Sequence, residues 1–206
     1  MKILKETVTK SGNKIQLIGN EINKKILVIG VFHGDEPQGK FLIEEYLAKY
    51  SDTKLFFIPC LNPDGMSLET RTNANGVDLN RNFPTKNWEL TEKNESFGGE
   101  FPACEIETNF LIDVINEIKP DIILTLHAPF KVVNYDGPAQ DIAKKISEII
   151  YYPVEASIGY PTPGSFGTYC GIEKNIPTIT LELDEECPAQ DLIEPVHKIF
   201  NLLENY

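Results

Sequence analysis

The chain has 206 residues and carries 19 Lys+Arg against 31 Asp+Glu, a formal charge of −12, with 41% apolar and 24% charged residues. That balance excludes a disordered chain and suits one domain with a full core. The acidity also excludes a nucleic-acid binder or a basic membrane-surface protein, since polyphosphate and anionic lipid are repelled at range; an anionic small substrate is still admitted wherever a cleft is locally positive.

The opening residues, MKILKETVTKSGNKIQ, contain no leader-type apolar stretch, because Lys2, Lys5, Glu6 and Lys10 interrupt it. The longest apolar runs, such as Ile26–Phe32, are too short to cross a bilayer. Cys60, Cys104, Cys170 and Cys187 are scattered, with no paired spacing. Free thiols in a reducing cytoplasm are the expectation.

In chain order, Ile3–Val8 and Lys14–Gly19 around Ser11-Gly12-Asn13 predict a β-hairpin. Lys25–Phe32 is a continuous apolar run, the pattern of a strand buried on both faces. A helix should follow, with Pro37 in its first turn and Phe41, Leu42, Tyr46 and Tyr50 at helical spacing. Leu55–Pro59 predicts a strand, ended by the turn signal Asn62-Pro63-Asp64-Gly65. Met66 to Ala103 has no periodicity, and a segment of that length in a compact domain is usually functional. A helix at about Glu105–Ile118 is followed by a strand at Asp121–His127, then a helix near Ala139–Tyr151. A strand at Thr178–Leu183 and a helix at Gln190–Leu203 complete the series. Buried runs alternating with amphipathic helices predict an α/β fold with a mixed, largely parallel sheet in one domain over residues 1–206. Ligands in such folds sit beyond the carboxyl ends of the strands.

His33 falls one residue past the first buried strand as predicted, His127 at the end of another, and Glu182 near the end of a third. Glu36 follows His33 by three, across Gly34 and Asp35. An imidazole and a carboxylate from one tight turn can fill two corners of a tetrahedral zinc site, a distant histidine the third, and water the fourth. Asp35 is the local competitor, with the less suitable spacing. The loop Arg71-Thr72-Asn73-Ala74-Asn75-Gly76-Val77-Asp78-Leu79-Asn80-Arg81-Asn82-Phe83-Pro84 reads either as a solvated surface loop with Asx turns or as an anion clamp built from forked arginine and neutral asparagine donors.

The strings HGDE, NPDG, GVDLNRNFP, the later strand-end histidine and TITLEL, in that order, resemble the zinc carboxypeptidase (funnelin) family from about Lys25 to Leu183. Within it, RTNANGVDLNRNFP and SIGYPTPGSFGTYC are similar to the murein peptide amidases. That likeness implies zinc-dependent hydrolysis of the γ-D-glutamyl–meso-diaminopimelate bond of murein tripeptide, in cytoplasmic peptidoglycan recycling. It implies one zinc per chain on His33, Glu36 and His127, and Glu182 as general base. Arg71 would polarise the scissile carbonyl, Asn80 and Arg81 would grip the substrate carboxylate, and Asp78 would orient a ligand histidine. Tyr160 would cap the site, with Tyr152 and Tyr169 as alternatives. Asp184, Glu185 and Glu186 offer either a partner for the distal ammonium of diaminopimelate or a solvated acidic turn. The chain is short for the family, and Ala128-Pro129 after His127 departs from many members. His197 matches nothing in the family and reads as a packed or solvated helix residue. Two other functions are carried beside this one: an N-acyl amino acid deacylase of the succinylglutamate desuccinylase or aspartoacylase type, and a non-catalytic murein-fragment sensor. The sequence leaves the oligomeric state open.

Overall fold

The computed structural model describes residues 1–20, 25–156 and 159–206. Its sheet is eight-stranded among the described residues: β1 (Lys2–Val8), β2 (Lys14–Gly19), β3 (Ile26–Gly30), β4 (Leu55–Ile58), β5 (Ile122–His127), β6 (Val132–Asp136), β7 (Val154–Glu155) and β8 (Thr178–Glu182). The spatial order is β1-β2-β4-β3-β5-β8-β6-β7. The centre, β4-β3-β5-β8, is parallel, whereas β1 with β2, β2 with β4, and β6 with β8 are antiparallel.

The parallel strands are apolar because both their faces are covered. Ile26 and Val28 of β3 pack with the helices α1 (Gln38–Lys49), α4 (Gln140–Ile150) and α5 (Ile193–Asn205). Leu27 and Ile29 face the opposite side, where a further helix, Ile106–Ile118, contributes Phe110, Leu111, Val114 and Ile115. Phe83, Phe166 and Tyr169 extend this second core toward the carboxyl ends of the strands.

Several boundaries differ from the sequence expectation. β3 stops at Gly30, because Val31 takes a positive φ of 53°, so His33 lies three residues past the strand. The segment read as a turn at Asn62–Gly65 opens a short helix, α2 (Pro63–Leu68). Asn62 caps it by accepting the Gly65 N–H, and Pro63 sits at its first position. With that insertion the Ile106–Ile118 helix is α3. β6 and β7 were not foreseen: β6 is half polar and β7 has two residues, so neither shows a buried run. Thr168–Glu173 forms a π-helical turn. His197 is buried, its Nε2 3.0 Å from the Leu42 carbonyl and its ring edge-on to Tyr46.

Candidate active site

Three neighbouring parallel strands deliver the reactive residues to one edge of the sheet. His127 ends β5 and Glu182 ends β8, and the two are direct register partners. His33 and Glu36 come from the turn after β3, and the Glu36 N–H donates to the His33 carbonyl at 3.2 Å. Gly34 makes that turn possible, since a Cβ there would overlap the Gly65 backbone of α2. Asp35 is exposed and takes no part.

His33, Glu36 and His127 are buried, and one ligand atom from each lies within 4.8 Å of the others. His33 Nδ1 is 2.8 Å from Glu36 Oε1, and His127 Nδ1 is 3.1 Å from Glu36 Oε2. The two Nδ1 atoms are 3.3 Å apart. On its far side His33 Nε2 donates to Asp78 Oδ1 at 3.2 Å. With Nε2–H committed to Asp78, Nδ1 faces the cluster, so a cation that displaces the Nδ1 proton meets its lone pair, as metal-bound imidazoles require. Burial disfavours a charged His33, but Asp78 and Glu36 outweigh it and raise its pKa to about 9. Burial likewise opposes ionisation of Glu36, yet His33 and His127 pull its carboxyl down to about 2. Burial lowers His127. Converging donor atoms beside two ionised carboxylates make a place for a cation, which would take the position of the His33 proton, and the two-histidine, one-carboxylate set fits zinc.

Glu182 Oε2 is buried and has no hydrogen-bond partner. Burial, with Glu36 adding to it, raises the carboxyl to about 8. Arg71 forks onto Asp78 Oδ2 through Nε at 3.2 Å and Nη2 at 3.0 Å. Its remaining nitrogen, Nη1, points into the cluster, 3.8 Å from Glu36 Oε1.

A cavity of about 270 Å³ opens over these groups and also reaches Asn80, Arg81, Tyr160 and Asp136. Asn80 and Arg81 lie on a single 3-10 turn, Leu79–Arg81, capped by Asp78. The Asn80 Oδ1 accepts the Phe166 N–H at 2.9 Å, which leaves its amide NH₂ for a ligand. The next residue, Asn82, is fully buried. Its Nδ2 contacts the Gly98 carbonyl at 2.7 Å, the Phe101 carbonyl at 3.3 Å and Cys104 Sγ at 3.1 Å. The Arg71–Pro84 loop is thus a wall of the site and not a solvated surface loop.

Tyr160 lines the cavity and is 47% exposed. Tyr152 instead accepts the Asp184 N–H on its hydroxyl, and Tyr169 is buried beside Phe83. Asp184 does not line the cavity; it pairs with Lys131 at 2.7 Å, and Glu185 and Glu186 are exposed. The acidic run is a surface turn. The residue that sequence reasoning missed is Asp136, whose carboxylate does face the cavity but belongs to a strand too polar to be recognised.

The sequence profile of the family described as Zinc carboxypeptidase matches residues 6–198. The chain belongs to that family. Its members are metallopeptidases, so this chain is a hydrolase of the zinc type. Murein peptide amidase A of Escherichia coli is 32% identical over 170 residues, which are 76% of this chain and 69% of that protein. The murein peptide amidase A of Vibrio campbellii is 35% identical over 180 residues, 79% of this chain and 71% of its own. Among solved structures, murein-tripeptide amidase from Escherichia coli O157 superposes with a TM-score of 0.86 at 28% identity, over 96% of this chain and 89% of that one. Carboxypeptidase A from Helicoverpa armigera, 17% identical, shares the fold at a TM-score of 0.74, and this chain covers 68% of it.

Proposed function

We propose that this chain, as a single zinc-peptidase domain, hydrolyses the γ-D-glutamyl–meso-diaminopimelate amide of murein tripeptide. The likeness to murein peptide amidases over three quarters of the chain supports this. The observation that carries it is one cavity holding a two-histidine, one-carboxylate donor set, a carboxylate with one unpartnered oxygen and an Asn80–Arg81 pair.

His33, Glu36 and His127 hold one zinc ion per chain in this reading. Zinc so held supplies Lewis acidity and brings the pKa of water toward ~7. Glu182 takes the proton of the attacking water at Oε2 and delivers it to the leaving amine. Its raised pKa keeps the carboxyl able to hold that proton between the two transfers, while a cation among its neighbours favours the ionised form at the start. Arg71 Nη1, not engaged by Asp78, donates to the oxygen that gains charge as the carbonyl is attacked. Asn80 and Arg81 bind the carboxylate beside the scissile amide, where forked donors give both strength and orientation. Tyr160 closes over the bound peptide.

A place in peptidoglycan peptide recycling in the cytoplasm goes with this substrate. The four cysteines support a reducing compartment, since all are free. Among the described residues no helix is long and apolar enough to cross a membrane.

The test is mass spectrometry of the zinc-loaded protein incubated with murein tripeptide, alongside elemental analysis. Release of free diaminopimelate with about one zinc per chain is the expected result. An intact tripeptide after prolonged incubation of fully loaded protein would overturn the assignment.

A further inference from the structure

Two glycines from distant parts of the chain meet the backbone of Arg81. A Cβ built on Gly98 would stand 2.5 Å from the Arg81 carbonyl oxygen and 3.3 Å from the Arg81 Cβ. One on Gly164 would overlap the same oxygen and its carbon. Gly164 also holds a φ of 70°, a conformation that other residues adopt only at a cost. Both glycines are buried, and neither lines the cavity that Arg81 lines.

Hydrogen bonds fix both segments on the turn. Asn82 Nδ2 donates to the Gly98 carbonyl at 2.7 Å, and the Asp78 N–H to the Phe97 carbonyl at 2.8 Å. From the other segment, the Gly164 carbonyl accepts the Phe83 N–H at 2.9 Å, and the Phe166 N–H donates to Asn80 Oδ1 at 2.9 Å. Arg81 itself is buried, and its Nη1 donates to the Asn80 carbonyl at 2.7 Å. The guanidinium is thus held to the backbone of its own turn, so a shift of that backbone carries the fork with it.

Non-bonded atoms rest about 3.5 Å apart, so a methyl group at 98 displaces the Arg81 carbonyl by roughly 1 Å. A binding group works within about 0.5 Å of its productive position. Gly164 has a second reach. Tyr160 lies in the same segment, and Pro161 and Pro163 restrict the chain between them. Tyr160 and Arg81 line one cavity.

We propose that Gly98 and Gly164 are positioning residues for substrate binding. By admitting only backbone against the Arg81 carbonyl they set the aim of the Arg81 fork, and Gly164 sets the Tyr160 segment against that same carbonyl. This rests on the reading of Arg81 as the grip on the substrate carboxylate.

The test is a double-mutant cycle on zinc-loaded protein with murein tripeptide. Gly98→Ala should raise KM about fivefold or more, leave kcat within about threefold and retain zinc, since the zinc set and Glu182 lie on other elements. In an Arg81→Ala background the same substitution should change KM less than about twofold, because the fork it misdirects is gone. A glycine that serves stability alone would give the same loss in both backgrounds. That result overturns the proposal, as does an unchanged KM in Gly98→Ala. Gly164→Ala repeats the cycle from the second segment and decides it should the first variant fail to fold. Its loss should shrink about threefold or more in the Arg81→Ala background, the remainder reporting Tyr160, and an undiminished loss overturns the proposal. If the wild type leaves murein tripeptide intact, the γ-glutamyl reading fails, and calorimetry with N-acetyl-L-alanine, an amide beside a carboxylate, still decides the role of the glycines. Affinity lowered about fivefold in Gly98→Ala at unchanged zinc content supports it. Wild-type affinity in that variant, or no binding by the wild type, rejects it.

Discussion

The carboxyl ends of β3, β5 and β8 differ in kind from the outer strand β6. The parallel strands are buried along nearly their whole length, carry no charged or histidine side chain before their last residues, and place those groups only at or beyond their ends, where His127, Glu182 and the His33 turn meet. β6 carries Asn134 and Asp136 in the strand itself, on the face turned to the cavity. The metal-binding groups at the strand ends are bound to one another, through Glu36, Asp78 and Arg71, and Glu182 Oε2 beside them is not. The β6 face holds a charge with no protein partner. Groups that must keep one geometry to hold a cation are tied together, and groups that wait for a proton or a ligand, Glu182 and Asp136, keep free oxygens.

The comparison predicts how substitutions at the two places divide. At the strand ends the largest loss is expected for Glu182→Gln, which keeps shape but accepts no proton: turnover should fall ~10²–10⁴-fold with zinc retained, read by steady-state kinetics and elemental analysis. Turnover within about tenfold of wild type would take the proton-transfer role away from Glu182. Asp78→Asn frees the far side of His33, and zinc affinity should weaken ~10–100-fold in a competition titration with a chelator. Arg81→Lys, which replaces a fork by a point charge, should raise KM several-fold with little change in kcat, on the scale of ~1 kcal/mol for one bond. An unchanged KM would leave the substrate carboxylate to Asn80 alone.

The smallest expected effect has the opposite sign and lies on β6. The Asp136 carboxyl ionises at about 6 in the folded protein against an ordinary 3.8. The folded state therefore binds its proton more tightly than the unfolded state does, and stability is lost as pH rises from about 4 through 6. Above that window Asp136→Asn should melt a few degrees higher than wild type, and below pH 4 the two should coincide, in thermal unfolding scans across pH. A lower melting temperature at neutral pH would mean that Asp136 is paired inside the protein.

The same division explains what the sequence made legible. A continuous apolar run announces β3, and Ile, Leu and β-branched Thr mark β5 and β8, so the positions of His127 and Glu182 at strand ends follow directly. The apolar stripes of α3, α4 and α5 were as clear. β3 was drawn two residues too long, because Val31 and Phe32 are apolar but leave the sheet through a positive φ that hydropathy does not encode. β6 is invisible since it is only five residues long, with polar Asn134 and Asp136 inside it. Asp136 is hidden with it, and Asp184, next but one to Glu182 in sequence, turns outward to Lys131, which sequence proximity does not reveal. The choice of Tyr160 over Tyr152 and Tyr169 needed the third dimension too, because only burial and hydrogen bonding separate the three.

The long irregular stretch that walls the cavity lacks the ladders of a helix or a sheet, yet Asn82 supplies what they would have given. Its fully buried amide ties the chain at Gly98, Phe101 and Cys104, its own carbonyl takes the Ala103 N–H at 2.6 Å, and its Oδ1 receives the Glu105 N–H at 3.3 Å. Amide hydrogens sheltered in this way open only with the surrounding structure, on the slow clock of core strands and not the fast one of surface loops. A peptide entering the cavity meets a wall already set in its final shape, so little of its binding free energy goes into ordering the protein.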